Sequence, residues 1–519
     1  MTEPIASLER PEPSRPAAAV AGVAAGAAAL GAAELLAGLL PGAASPIIAI
    51  GDLIIFLQPP GAKQFVVDLF GEADKLLLNL LIVAVALAVA AVLGVLARRR
   101  IGLARLGFAG FGLLALGAGL RDPLATPLTT LVVAVAAVLV AIAVLGWLLR
   151  RAATAGPPRA EMPAWGRRRF LRDSAAVIGV AAGSGAFGRL LLDRGRLNAV
   201  AQAGVIPDPV STAPPLPAGA ALNVAAVSPI VTPNEDFYRI DTALLVPRPN
   251  LDTWRLRVTG MVDRPFELTY DELVAMPLHD QHVTIACVSN EVGGKLVGNA
   301  LWRGVRLKEI LELAQVQSSA TQIVGRAVDG FTVGFPTAWA LADEREALVA
   351  VAMNGEPLPA EHGFPARLIV PGLYGYVSAT KWLAEIELTT LESFDAYWVP
   401  LGWAKEAPIL TQSRVDTPRD GASIEPGMVP IAGVAWAPDR GISAVEVQVD
   451  ESGWQAAELS VPISDATWVQ FVYRWQATSG EHALRVRATD GDGVVQTADR
   501  TRPDPDGARG HHTIRVRVA

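Results

Sequence analysis

The 519-residue chain contains a single cysteine, Cys287. One thiol excludes an intramolecular disulfide, a C-x-x-C zinc or iron–sulfur site, and c-type haem attachment through C-x-x-C-H. Histidine is also scarce: there are six, all at position 279 or later. No helix in the N-terminal part can therefore supply the imidazole pair of a typical b-type haem, and no haem motif occurs elsewhere. Positive charge is not in excess. The formal net charge is −7, so there is no basic footprint for nucleic acid. Three roles remain for a lone thiol set in "TIACVSNEVGG": a small buried hydrophobe, a nucleophile, or one thiolate ligand to a metal.

Apolar residues, by contrast, are plentiful. They make up 51% of the chain and concentrate in the first 190 residues. Four runs are candidate membrane spans, at 17–40, 76–96, 103–120 and 124–149, against a need of about 20 apolar residues each. Arg98, Arg99, Arg100 and Arg105 follow the second run, and Arg150 and Arg151 follow the fourth. The positive-inside rule places both clusters in the cytoplasm. That leaves 45–75 as a re-entrant or interfacial segment on the outside; a full span at 46–57 would move the first cluster outward. Glu34 is the one acid well within a span. Intramembrane acids are functional candidates, but its place near the helix end equally suits a carboxylate that snorkels to water.

The stretch "GRRRFLRDSAAVIGVAAGSGAFGRLLL" at 166–192 resembles a twin-arginine export signal: Arg167, Arg168 and Arg169, then Phe-Leu, then a mildly apolar Gly/Ala segment. Such a signal implies a following domain that folds, and loads a cofactor, before crossing. Charged residues precede the A-V-A-Q-A at 199–203, so a retained anchor is expected. The domain plan is thus a helical membrane region over 1–155, then an anchor helix and Pro/Ala linker over 160–221. Both together predict a multi-pass protein of the cytoplasmic membrane with everything later outside it.

Two further regions follow. Over 222–412, "TWRLRVTGMVD" and "HVTIACV" read as strands, Thr269 caps a short helix, and Leu307, Ile310, Leu311 and Ala314 recur at helical spacing. This predicts an α+β domain. Over 413–519, "ISAVEVQVD", "HALRVRA" and "TIRVRV" alternate apolar and polar residues between turns such as Asp490-Gly491-Asp492-Gly493, which predicts an all-β sandwich.

The ordered motifs "TPNEDFYRIDTAL", "CVSNEVGG", "NALWRGVRLKEIL" and "NGEPLPAEHGFPARLIVPGLYGYVSATKW", with the closing β region, resemble the sulfite-oxidase family of molybdopterin enzymes over about 225–515. The resemblance implies a molybdenum–molybdopterin cofactor with Cys287 as its sole protein ligand, and an immunoglobulin-like sandwich of the kind that forms homodimers. It implies cofactor contacts from Asn234, Tyr238 and Arg239, from His362 and Arg367, and, near a terminal phosphate, from Ser378, Thr380 and Lys381. A soft thiolate suits a metal already held by sulfur. The Gly293-Gly294 pair is expected to let backbone approach the cofactor.

The family carries an arginine just after the C-x-x-N motif; here Glu291 stands there. A carboxylate opposes an anionic substrate, so a neutral sulfoxide competes with sulfite. Arg239, Arg303 and Arg326 are the candidates to compensate, and Asp329 is either a pocket acid or a turn acid before Gly330. Oxygen-atom transfer on a small molecule is the expected activity, with a separate electron-transfer partner. Two rivals stand beside it: a non-catalytic envelope interaction protein with Cys287 merely buried, and a cysteine hydrolase using His282 as base.

Overall fold

The computed structural model describes residues 12–57, 74–153, 165–201, 204–342 and 345–519. The remainder of the 45–75 segment, the boundary at 155–160 and the end of A-V-A-Q-A lie outside the described residues. The chain forms two compact units: Met1–Leu197 with Ala243–Val246, and Asn198–Thr242 with Pro247–Ala519.

The first unit is helical: α1 (Arg15–Leu39), α2 (Pro46–Leu57), α3 (Asp74–Ala97), α4 (Ile101–Gly119), α5 (Pro127–Ala153) and α6 (Trp165–Ala201). Five helices among the described residues are long and apolar enough to cross a membrane, and the fifth lies within α6, at Gly166–Leu192. Helix α2 has 12 residues. At 1.5 Å per residue it reaches about 18 Å, well short of a bilayer core of about 30 Å. Small residues of α1, Ala21, Ala24 and Ala25, share an apolar core with Ala90, Leu145 and Leu148. Glu34 does not snorkel. It is 3% exposed, accepts a 2.6 Å hydrogen bond from Ser45 Oγ and lies 3.0 Å from Arg189 Nε of α6. Position near a helix end could not reveal this, because the partner is 155 residues away in sequence (189 − 34).

The second unit begins with two sheets, one mixed through the parallel β1–β10 pair and one wholly antiparallel. Its elements are β1 (Leu256–Gly260), β2 (Phe266–Leu268), α7 (Tyr270–Val274), β3 (His279–Ala286), β4 (Val297–Arg306), α8 (Leu307–Ala314), β5 (Gln322–Ala327), β6 (Thr332–Pro336), β7 (Leu348–Met353), β8 (Glu356–Pro357), β9 (Arg367–Ile369), α9 (Gly375–Ser378) and β10 (Leu383–Thr389). One sheet runs β2-β1-β10-β5-β6; the other runs β3-β4-β7-β8, with β9 beside β7. Helix α7 starts on the expected Thr269 cap, completed into a capping box by Glu272. Helix α8 buries Leu307, Ile310, Leu311 and Ala314, the four residues that its spacing selects.

The Pro-rich segment before these sheets is extended but not a free linker. Val210 N–H donates to Leu278 O at 2.8 Å, Asp280 N–H donates to Ser211 O at 2.9 Å, and Val461 N–H donates to Gly219 O at 3.0 Å. It covers the outer edge of β3, which would otherwise expose unpaired backbone.

The rest of the unit is β11 (Gln412–Thr417), β12 (Ser423–Ile424), β13 (Gly427–Trp436), β14 (Ile442–Val449), β15 (Gln455–Ala456), β16 (Glu458–Leu459), β17 (Val469–Ala477), β18 (Gly480–Asp490) and β19 (His512–Val518). They form two sheets, β11-β13-β17-β16 and β12-β19-β18-β14-β15. The period-two pattern turns Val445, Val447, Leu484, Val486, Ile514 and Val516 into one core with Ile431 and Phe471.

Candidate functional site

Cys287 is the first residue past β3, and it is 8% exposed. Its N–H donates to Leu296 O at 2.9 Å, and its carbonyl accepts from Asn290 N at 3.0 Å. Asn290 Oδ1 then accepts from Leu296 N at 2.8 Å. The thiol is thus presented from a tight loop between two paired strands, β3 and β4. Two phenols lie near it. Tyr238 and Tyr374 each lie near enough for the cysteine's charge to oppose their ionisation, but burial is the larger cause; both are held protonated well above the usual phenol range. Tyr374, in "PGLYGY", escaped the sequence reading because nothing local distinguishes it from a core tyrosine.

A second cluster adjoins Tyr238. Arg367, on β9, is 3% exposed. Its Nη1 donates to His362 O at 2.8 Å, its guanidinium lies 5.0 Å from the centre of the Trp302 ring, and its Nε has no hydrogen-bond partner. No carboxylate pairs with it among the described residues. Burial lowers its pKa to about 10, which Tyr238 only partly offsets. His362 Nε2 lies 2.8 Å from Asn234 O. A carbonyl can only accept, so Nε2 carries the proton and the unpartnered Nδ1 presents a lone pair. Burial lowers the His362 pKa to about 4, so the ring is neutral at pH 7. Lys381 Nζ donates to Glu361 O and to Asp241 Oδ2, both at 3.0 Å. Burial lowers its pKa to about 8 against the pull of Asp241.

Several expected contacts are thus gathered, and others are not. Asn234 acts through its carbonyl, while its amide is held by Asn354 Nδ2 at 2.8 Å. Arg239 Nε pairs with the same Asp241 at 3.0 Å. Ser378 Oγ donates back to its own helix, to Tyr374 O at 3.0 Å. Thr380 Oγ1 points at Gly325 of β5, where an added Cβ would lie 2.4 Å from it beside Leu368 and Val333. Of the "SATK" run Lys381 brings a charge to the cluster, while Thr380 Oγ1, like Arg367 Nε and His362 Nδ1, is buried without a hydrogen-bond partner among the described residues. Asp241, Asn354, Trp302 and Tyr374 are the residues that the sequence reading missed.

The glycine pair serves a different purpose from the one expected. At Gly293 (φ +80°) an added Cβ would lie 2.2 Å from His512 Cδ2, and at Gly294 it would lie 2.5 Å from Asn290 Oδ1. These glycines admit the chain's own residues. Glu291 is exposed on this loop and makes no ion pair among the described residues. Asp329 Oδ1 accepts from Phe331 N at 3.1 Å, the turn role. The three candidate compensating arginines are all paired: Arg239 with Asp241, Arg303 with Asp280, and Arg326 with Glu387. His282 and Cys287 are an odd number of residues apart. Thr284, on the face of β3 that His282 shares, accepts from Trp468 N at 2.8 Å, while Val283 and Ile285 pack with Trp302 and Phe237. That geometry gives the thiol no base from His282.

The cluster has the chemistry of a receptor for a polar anion. An unpaired buried guanidinium is costly unless an anion meets it. The unpartnered atoms offer a donor at Arg367 Nε and an acceptor at His362 Nδ1, with the Lys381 charge beside them and a thiol at the other end. An oxidised, phosphate-bearing heterocycle with a thiophilic metal fits that set.

Residues 243–398 match the family model described as oxidoreductase molybdopterin binding domain. The mitochondrial sulfite oxidase of Mus musculus is 33% identical over 274 residues, 44% of this chain and 49% of that protein; the chain spans about half the length of such curated relatives. An uncharacterized oxidoreductase of Bacillus subtilis (strain 168), YuiH, is 37% identical over 154 residues, 30% of this chain and 74% of that one. Among solved structures, the sulfane dehydrogenase SoxCD from Paracoccus pantotrophus aligns with a TM-score of 0.49 at 22% identity, covering 56% of this chain and 81% of that one. With the matched region containing Cys287, His362, Arg367 and Lys381, the chain belongs to the sulfite-oxidase family of molybdopterin oxidoreductases.

Proposed function

We propose that this protein is a membrane-anchored, molybdenum-dependent oxidoreductase that transfers an oxygen atom to or from a small substrate outside the cytoplasmic membrane. The observation that carries the reading is Arg367: a guanidinium 3% exposed, without a carboxylate partner among the described residues, beside a neutral histidine with a free lone pair. Arg367 and Lys381 would hold the anionic end of molybdopterin, and His362 Nδ1 would accept a hydrogen bond from its ring. Cys287 would be the metal's one protein ligand. When bound, the molybdenum centre supplies two-electron oxygen-atom exchange. The chain's share is binding and orientation. Tyr238 and Tyr374, kept protonated near Cys287, would be available as hydrogen-bond donors at the thiolate end of the site.

Substrate charge follows from the same geometry. The three candidate compensating arginines are spent on carboxylates and Glu291 makes no ion pair among the described residues, which favours a neutral or cationic substrate, such as a sulfoxide, over sulfite. The N-terminal helices would anchor the protein, with 160–221 as a retained twin-arginine-type helix. Residues 222–412 would form the catalytic domain, and 413–519 an immunoglobulin-like domain suited to pairing two copies. Electrons would pass to or from a separate partner.

The test is metal and pterin analysis of natively exported protein, with a sulfite and sulfoxide screen. Equimolar molybdenum and molybdopterin are expected; a folded, exported protein without molybdenum refutes the reading. Replacing Arg167, Arg168 and Arg169 by lysine tests export: residues after 204 should become inaccessible to protease added from outside.

A further inference from the structure

The loop that presents Cys287 is held from outside its own domain. His512 opens β19 of the C-terminal β region. Its Nδ1 accepts from Val415 N at 3.0 Å, so in the neutral ring the proton sits on Nε2. Burial lowers the pKa of His512, and Arg414 lowers it further, which keeps that tautomer. The imidazole edge lies against Gly293: an alanine there would place its Cβ 2.2 Å from Cδ2 and 2.3 Å from Nε2. Arg414, on β11, takes the next residue. Its Nη1 donates to Gly294 O at 2.7 Å, its Nε to Asp416 Oδ1 at 2.6 Å, and its Nη2 to Ser228 Oγ at 2.8 Å. Every arm of the guanidinium is engaged, so its position is over-determined. Inside the loop, Gly294 N–H donates to Glu291 O at 2.8 Å, and Asn290 ties Leu296 back to the cysteine end.

We propose that His512 and Arg414 are positioning residues for the candidate metal site: the C-terminal β region clamps residues 288–296 and so sets where Cys287 and Glu291 stand. A loop of this length with two glycines has little stiffness of its own. Removing the imidazole edge opens the space beside Gly293 and frees the turn that carries Glu291. The β region is thereby a wall of the site, and not only a platform for assembly. The importance of the clamp rests on the reading of Cys287 as a ligand, but its test does not.

Cys287 is the only thiol, so its modification rate reports the loop directly. The full chain, purified from a host that cannot make molybdopterin, is treated with methyl methanethiosulfonate. His512→Ala should speed modification by about tenfold or more, as local opening of the loop would. His512→Asn, which keeps an acceptor for Val415 N–H, should stay within about threefold of the unmodified sequence. Val518→Ala, a truncation of the same β core at the end of β19 opposite His512, should leave the rate unchanged. Equal rates for His512→Ala and the unmodified sequence overturn the proposal. So does an equal acceleration by Val518→Ala, which would make the effect one of global stability. If His512→Ala does not accumulate, Arg414→Gln is expected to give the same acceleration, and an unchanged rate there overturns the proposal too. Because cofactor is absent throughout, a faulty assignment of Cys287 to molybdenum would appear in the metal analysis and leave this outcome intact.

Discussion

Arg367→Met separates a residue that holds the fold together from one that waits for a ligand. The guanidinium is buried and its pKa falls from 12.5 to about 10. The unfolded chain keeps the ordinary value, so at pH 7 the group is charged in both states and the fold bears the difference. At about 1.4 kcal/mol per tenfold, that is a cost of about 3 kcal/mol in cofactor-free protein. Against it stand the bond to His362 O at 2.8 Å, worth about 2 kcal/mol for a charged donor, and the face of Trp302 at 5.0 Å, worth about 1 kcal/mol. The terms cancel to within about 1 kcal/mol. Methionine fills much of the same volume, so cofactor-free Arg367→Met should melt within a few degrees of the unmodified chain. With cofactor the sign is plain: a lost charge-assisted bond of about 2 kcal/mol weakens retention about 30-fold. The assay is a pair of measurements on full-length protein in detergent, thermal unfolding without cofactor and pterin content after prolonged dialysis with it. A loss of about 3 kcal/mol or more without cofactor, or undiminished pterin retention, would refute the reasoning and make Arg367 a structural pillar.

Cys287→Ser replaces a soft ligand with a poor one; the protein should fold, keep most of its pterin and lose turnover, as read by metal-to-pterin ratio and a steady-state assay. Glu291→Arg reverses the charge of an exposed side chain; kcat/KM for sulfite should rise relative to a neutral sulfoxide, and the gain should shrink as salt is added. His362 is neutral in the fold with a pKa of about 4 against 6.5 unfolded, so its contribution is complete above pH 6.5 and disappears as pH falls toward 4. Cofactor-free protein should lose up to about 3 kcal/mol across that window, and His362→Gln should flatten the melting-versus-pH curve. Glu34→Leu strands Arg189 in the helical unit and should cost about 3 kcal/mol in detergent, most of it recovered in the Glu34→Leu/Arg189→Leu double variant.

Sequence alone determined the elements and the family. Long apolar runs without charge have to be helices, because only a helix satisfies its own backbone over that length. Alternation at 442–449, 480–490 and 512–518 has to be strands, since a period of two puts every second residue on one face. Cys287 and the His362–Arg367 motif were legible because they are local and ordered along the chain. What the sequence could not carry is where side chains meet across long separations. The Glu34–Arg189 pair, Asp241 shared by Arg239 and Lys381, and His512 against Gly293 each join residues from different elements. Orientation was equally hidden. Ser378 and Thr380 sit in the expected motif, yet one hydroxyl returns to its helix and the other enters the apolar core. Local pattern sets which way a backbone runs; only packing decides which atoms are left without a partner, Arg367 Nε and His362 Nδ1 among them.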